Sequence, residues 1–253
     1  MSTKTSIAIC AYGEIGYKLL HFAIMQPQKI AKVFIRADDD YAKDKISICE
    51  KNHIDYGVVK SIEDDACIEF FSRESLDIVF LLWWPDIVPK NIIKLSRRGF
   101  VNLHPSFLPY NRGMHPYYWS IVDKTPAGVS LHFINEKIDS GEIIDQERIQ
   151  TDITFTGEKL YHAAAKKIIS LFKKNYEKIL TNKITCKPVD ISRGTFHLKK
   201  DLDVHSEIIL ERKYKAEELL DIIRGRTFTS MPSSYFYKDG KKYHVRVQIE
   251  EAE

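Results

Sequence analysis

The chain has 253 residues, enough for one large domain or one domain with a small appendage. Its 44% hydrophobic and 29% charged content is that of a globular protein and excludes a disordered or collagen-like chain. With 38 Lys and Arg against 35 Asp and Glu, the net charge of +3 argues against a dedicated nucleic-acid binder, while leaving room for a local basic groove facing a phosphorylated ligand.

The first half of the chain alternates strand and helix patterns. Ser6–Cys10 reads as a short apolar strand, followed by apolar residues at helical spacing over Ile15–Met25. Strands are predicted at Ile30–Ile35, Gly57–Val59, Asp77–Leu82 and Phe100–Leu103, with helices between them at Lys43–Asn52, Ala66–Arg73 and Asn91–Ser96. Such alternation predicts a parallel sheet with helices on both faces, whose ligands bind beyond the carboxyl ends of the strands. Gly128–Ile134 and Glu142–Ile149 are further strand candidates, joined by the loop Asn135–Gly141. Gly157–Leu180, free of proline and of internal glycine, is a long amphipathic helix that closes the first domain. After it the pattern loosens to a helix at Lys215–Arg224 and a hairpin, Tyr235–Lys238 and Lys242–Ile249, turned by Asp239-Gly240. The expected fold class is therefore α/β: a Rossmann-like, mostly parallel sheet over residues 1–182, then a small α+β piece, 183–253, ending in a β-hairpin.

The longest near-continuous apolar run, Ile78–Trp84, has the length of a buried strand and falls far short of the ~18–20 residues of a membrane span, so no membrane partner is expected. MSTKTSIAIC lacks the basic start and cleavage site of a signal peptide. Cys10, Cys49, Cys67 and Cys186 form no CxxC pair, so no metal site is expected and the thiols are read as reduced and structural, in a cytoplasmic protein. Gly13-Glu-Ile-Gly16 lies in the first strand-to-helix turn, but Ala11 leaves a dinucleotide fingerprint incomplete. The two glycines are read as allowing a tight turn and close helix–strand packing.

The informative stretch is VNLHPSFLPYNRGMHP, residues 101–116. Asn102 and His104 stand two apart on a predicted strand, so they share a face at its end. An amide N–H can donate to a developing oxyanion, and an imidazole with a reference pKa of about 6.5 can move a proton near neutrality. Alone, such a pair is commonly structural, and Asp139-Ser140-Gly141 alone reads as a turn. Pro105, Pro109, Gly113 and Pro116 beside the pair indicate a loop of fixed shape, and a cis Leu108–Pro109 bond is expected in it.

Taken in order, NxHPSxLPxxRGxxP, a GVxLHF strand and DxG resemble the formyltetrahydrofolate-dependent formyltransferases. The resemblance implies a catalytic set of Asn102, His104 and Asp139 and N10-formyltetrahydrofolate as formyl donor. His104 then acts either as a base on the amine or, protonated, as a stabiliser of charge on the formyl oxygen. By the same resemblance Leu82, Trp83 and Trp84 lie where the family binds folate. PYNRGMHPYYWSIV and the tail GRTFTSMPSSYFYKDGKKYHVRV look most like the sugar N-formyltransferases, which formylate an amino sugar carried on a nucleotide. This implies a homodimer, a nucleotide-linked amino sugar as partner and a role in surface polysaccharide or O-antigen synthesis. The leading candidates are a dTDP-4-amino-4,6-dideoxyglucose and a dTDP-3-amino-3,6-dideoxyhexose. Arg112, Arg224 with its neighbour Arg226, and Tyr235 are the candidates for holding diphosphate and base. A methionyl-tRNA formyltransferase is the alternative, and a non-catalytic Rossmann-type binding protein the second; the short tail and balanced charge disfavour a nucleic-acid partner.

Overall fold

The computed structural model of the chain describes residues 5–252. In its first half β1 (Ile7–Ala11), α1 (Gly13–Ile24), β2 (Ile30–Arg36), α2 (Ala42–Lys51), β3 (Tyr56–Val59), α3 (Asp65–Arg73), β4 (Ile78–Leu82), α4 (Lys90–Ile93) and β5 (Phe100–His104) follow one another. Then come β6 (Arg112–Gly113), α5 (Pro116–Val122), β7 (Gly128–Phe133), β8 (Ile143–Arg148) and α6 (Gly157–Leu180). The remainder holds β9 (Phe196–His197), α7 (Lys199–His205), α8 (Ala216–Gly225) and the antiparallel hairpin β10 (Ser234–Lys238) with β11 (Lys241–Val245). Among the described residues no helix is long and apolar enough to cross a membrane.

The main sheet has seven strands in the order β3-β2-β1-β4-β5-β7-β8, and the first five are parallel. Side-chain alternation gives it two buried faces. On one, Ala8, Cys10, Phe34, Val79, Leu81 and Phe100 pack with Phe70 and Phe71 of α3. On the other, Phe80 meets Phe172 and Tyr176 of α6, which in turn meet Phe22 of α1. Strand order reverses between β1 and β4, so the ends of those strands and of β5 form the crevice where this architecture places ligands. Cys10 is a fully buried strand residue whose thiol is pushed well up by desolvation, in keeping with a small structural hydrophobe.

The chain divides into two compact units. One comprises the chain up to His104 with Leu131–Asp145 and Ile168–Val189; the other comprises Pro105–Ser130, Gln146–Lys167 and the chain from Asp190 on. In the second unit, Tyr118 and Trp119 of α5 pack with Leu202 of α7. The Trp119 indole stacks on His197 at 3.9 Å between centroids and 4° between planes. The short β6 pairs with β9, which ties Arg112 and Gly113 to Phe196 and His197. The Leu108–Pro109 bond is cis, as expected from the loop's sequence.

Three of the differences from the sequence reading have a local physical reason. The helix predicted over Asn91–Ser96 spans only Lys90–Ile93: Pro89 sets its start, and Leu95 N–H already turns back to Ile92. The second hairpin strand stops at Val245, because Ser234 opposite it is the first residue of β10. Helix α5 has no counterpart among the predicted elements, although Pro116 at its first position is a helix-start signal; His115 before it, at φ 58°, makes the sharp entry.

Candidate active site

Asn102 and His104 both lie on β5, on the face that begins with Phe100, and Asn102 pairs in register with Leu81 of β4. His104 is 6% exposed. Asp139 is carried by the loop between β7 and β8, and two local features place it. Asp139 itself sits at φ 46°, a left-handed conformation uncommon for a residue other than glycine. Gly141 packs so closely on the end of β7 that a Cβ there would overlap the Phe133 carbonyl oxygen. The loop is braced by Asn135 Oδ1, which accepts from Lys137 N at 3.0 Å and lies 2.7 Å from Ser140 Oγ.

This geometry brings the three together. His104 Nδ1 is 3.5 Å from Asp139 Oδ2, a charge contact slightly longer than a hydrogen bond. A fourth residue joins them. His132 of β7 is fully buried, with Nε2 3.5 Å from Asn102 Nδ2 and 3.6 Å from Asp139 Oδ1; its ring stands edge-on to His104, 6.4 Å between centroids. The other nitrogen, Nδ1, is 2.8 Å from the Phe133 carbonyl. A carbonyl only accepts, so Nδ1 carries the proton and Nε2 is an acceptor. The Asn102 atom facing it must then be the amide nitrogen. His132 thereby fixes the orientation of the Asn102 amide. Desolvation pushes its pKa down to about 4, so it is neutral at pH 7. In the sequence His132 falls among the small or polar positions that alternate with Val129, Leu131 and Phe133, and nothing there singles it out.

That burial has a measurable consequence. The unfolded chain takes up a proton on His132 below about pH 6.5 and the folded chain only near pH 4, so stability is full above 6.5 and is lost as pH falls through this window. The size is about 3 kcal/mol, and half-buried His115 and His205, also shifted down by desolvation, add in the same direction. Denaturant titrations at pH 7.5 and 5 should show this loss, and His132→Gln should reduce the slope. An unchanged slope in that variant would contradict a neutral buried His132.

The folate candidates lie in the same unit. Leu82 is fully buried at the end of β4, and its carbonyl accepts from Tyr12 N at 3.1 Å. Trp83 takes φ 63° and its Cδ1 lies 3.8 Å from where a Cβ on Gly13 would be. Trp84 packs in the cluster of Leu81 and Phe100, and its buried indole N–H has no protein acceptor. An orphaned buried donor beside the strand end that carries Asn102 fits the polar edge of a flat heterocycle.

The remaining candidates belong to the second unit. Arg112 holds its loop through β6, with its guanidinium 5.5 Å over the Phe196 ring. Arg224 is 8% exposed: its Nε donates to Asp221 at 2.7 Å and its Nη1 to the carbonyls of Phe155 (2.7 Å) and Asp152 (3.3 Å). Its guanidinium is therefore engaged in holding α8 to the 152–155 turn. Tyr235 lies on β10, with Lys242 Nζ 3.5 Å over its ring. Arg226, whose Nε is buried with no hydrogen-bond partner, shares its electrostatic surroundings with His115, Asp203 and Tyr235.

Residues 27–174, more than half of the chain, match the family described as Formyl transferase. The chain belongs to the formyl transferase family. Residues 201–251 of this formyl transferase chain match the N-formyltransferase dimerization C-terminal domain. Among curated relatives, the bifunctional polymyxin resistance protein ArnA of Wigglesworthia glossinidia brevipalpis is 29% identical over 93% of this chain and 36% of its own length. A methionyl-tRNA formyltransferase of Lachnospira eligens is 29% identical over 72% of this chain and 56% of its own. A GDP-perosamine N-formyltransferase of Brucella melitensis is 26% identical over 70% and 67%. The chain thus spans between about a third and a little over half of the first two relatives. Of solved structures, a sugar N-formyltransferase from Shewanella sp FDAARGOS_354 superposes with a TM-score of 0.82 at 18% identity, over 99% of this chain and 100% of that one. The N-formyltransferase from Helicobacter canadensis in complex with folinic acid and dTDP-3-aminofucose gives 0.73 at 21%, over 94% and 86%. These two likenesses are of fold, and they confirm the α/β architecture read from the sequence.

Proposed function

We propose that this chain transfers the formyl group of N10-formyltetrahydrofolate to the amino group of a nucleotide-linked amino sugar. The observation that carries the reading is the meeting of Asn102, His104 and Asp139, joined by His132, at the strand ends of a formyl transferase chain. The sugar branch is supported by the match of residues 201–251 to the N-formyltransferase C-terminal domain, and by the full-length likeness to sugar N-formyltransferase folds. The methionyl-tRNA relative matches 72% of this chain and 56% of its own length.

The formyl donor, when bound, supplies an electrophilic one-carbon unit on a nitrogen leaving group. Asn102 Nδ2, turned by His132, donates one hydrogen towards the place where negative charge develops on the formyl oxygen. Asp139 holds His104 through Nδ1, which leaves Nε2 to take a proton from the amine and return it to the departing nitrogen; in its protonated form the same ring stabilises the oxyanion. Trp83 and Trp84 form the folate slot. No metal is required for these steps.

Arg226 and Tyr235 are the better pair for the diphosphate and base, since Arg224 is already engaged. Replacing Arg226 with alanine should raise the Michaelis constant for the nucleotide sugar about tenfold or more and leave that for folate unchanged. Arg224→Ala should instead lower thermal stability, because it leaves the buried Asp221 carboxylate with only the longer 3.9 Å contact to Lys124. The reverse outcome, lost sugar-nucleotide affinity in Arg224→Ala alone, would return that role to Arg224. The tail, residues 183–253, serves substrate binding and homodimer formation; a monomer at micromolar concentration would remove the second task. The sugar is a dTDP-4-amino-4,6-dideoxyglucose or a dTDP-3-amino-3,6-dideoxyhexose, destined for a surface polysaccharide such as O-antigen and modified in the cytoplasm. Mass analysis of products from a panel of nucleotide amino sugars tests this: the true substrate gains one formyl group.

A further inference from the structure

Outside the catalytic group, the chain buries a second pair of charges, and both of its members bond the Gly13 turn. Asp39 and Lys45 form an ion pair at 2.7 Å in which both side chains are completely buried. Asp39 Oδ2 also accepts from Gly13 N at 3.1 Å, and its Oδ1 from Tyr41 N at 2.9 Å. Lys45 Nζ donates to Gly13 O at 2.8 Å. Both backbone groups of Gly13 are therefore held by this pair.

Gly13 opens α1, and Tyr12, the residue before it, provides no side-chain cap. The amino end of a helix attracts an anion, and in dinucleotide-binding folds the first turn receives a ligand's phosphate. Here the anion is Asp39, delivered from the segment after β2 and neutralised by Lys45 from α2. The turn holds the first strand end against the fourth: Tyr12 N–H bonds the Leu82 carbonyl, and a Cβ on Gly16 would lie 2.6 Å from the same oxygen. The next residue, Trp83, stands against Gly13 at φ 63°.

We infer that Asp39 and Lys45 are positioning residues for the folate slot: they lock the Gly13 turn, and the turn sets Trp83. Burying two charges is costly and is tolerated where geometry and hydrogen bonds satisfy both. A pair of well-packed apolar residues serves stability as well, so the charges are explained by what they hold. The inference rests on the reading of Trp83 as part of the folate slot, and it also accounts for the incomplete GxxG, since the place of a cofactor phosphate is filled from within.

The test measures the dissociation constant of 5-formyltetrahydrofolate by calorimetry, with no turnover involved. Asp39→Ala should weaken it roughly tenfold, and sodium acetate, which can re-enter the vacated carboxylate site, should restore it where sodium chloride does not. The double variant Asp39→Ala/Lys45→Met removes both charges and keeps the fold if the single variant fails to fold. It should keep the weakened folate affinity even where its melting temperature matches wild type, and its Michaelis constant for the nucleotide sugar should stay unchanged. Wild-type folate affinity in the folded double variant would overturn the inference. Trp83→Ala separates the two layers: if it weakens folate binding while the pair variants do not, only the positioning role fails. If Trp83→Ala binds folate normally, the slot reading fails and takes this inference with it.

Discussion

Replacing His104 with alanine is expected to lower turnover by at least about 100-fold while leaving the fold and folate binding intact. The ring sits at the end of β5, and in the proposed mechanism it is the group that moves the amine proton. Asn102→Ala and Asp139→Ala should each fall by a similar factor, the first by losing the amide donor, the second by releasing the imidazole from its 3.5 Å charge contact. Because these residues act as a unit, the double variant His104→Ala/Asp139→Ala should be little worse than His104→Ala alone. Activity within a few-fold of wild type in His104→Ala would remove the proposed mechanism. Wild-type activity in Asp139→Ala would restrict it to Asn102 and His104.

Gly141→Ala should be nearly as damaging without touching a reacting group. The added methyl would overlap the carbonyl oxygen of Phe133 and lie 2.7 Å from its carbon, both backbone atoms that cannot swing aside. The 135–141 loop must shift, and Asp139 with it. A displacement near 1 Å at a catalytic group costs about 100-fold in rate. We expect kcat to fall by that order in a folded variant whose Michaelis constant for the nucleotide sugar is unaltered. A Ser140→Ala variant, which removes one brace but adds no clash, should lose far less. Unimpaired turnover in Gly141→Ala would show that the loop tolerates displacement.

The parts of the site legible in the sequence were those that obey a local rule. Asn102 and His104 were placed on one face by the two-residue period of a strand. Asp139 was placed by a DxG spacing whose glycine proves to be demanded by close packing. His132 escaped because it shares its side of the strand with Gly128 and Ser130, a small and polar alternation that gives no burial signal, and its neighbours Asn102 and Asp139 meet it only once the sheet and the 135–141 loop have folded. Arg224, at the end of a predicted helix, is a diphosphate candidate by residue type. Its burial depends on Asp221 three residues earlier and on carbonyls about seventy residues away, which no local pattern announces. Asp39 carries no signal in the sequence for a related reason: Gly13, which it holds, is 26 residues earlier and meets it only through the tertiary fold. The seven-stranded sheet was foreseeable from alternation, but α5 was hidden in an aromatic run whose only marker was Pro116.

The central claim is tested most directly by mixing the protein with N10-formyltetrahydrofolate and, separately, a dTDP-linked amino sugar and methionyl-tRNA, and following tetrahydrofolate release together with the mass of the acceptor. The account predicts release that depends on the amino sugar, one formyl group gained by that sugar, and loss of both in His104→Ala. Formylation of methionyl-tRNA alone, or no release with any nucleotide-linked amino sugar, would contradict it.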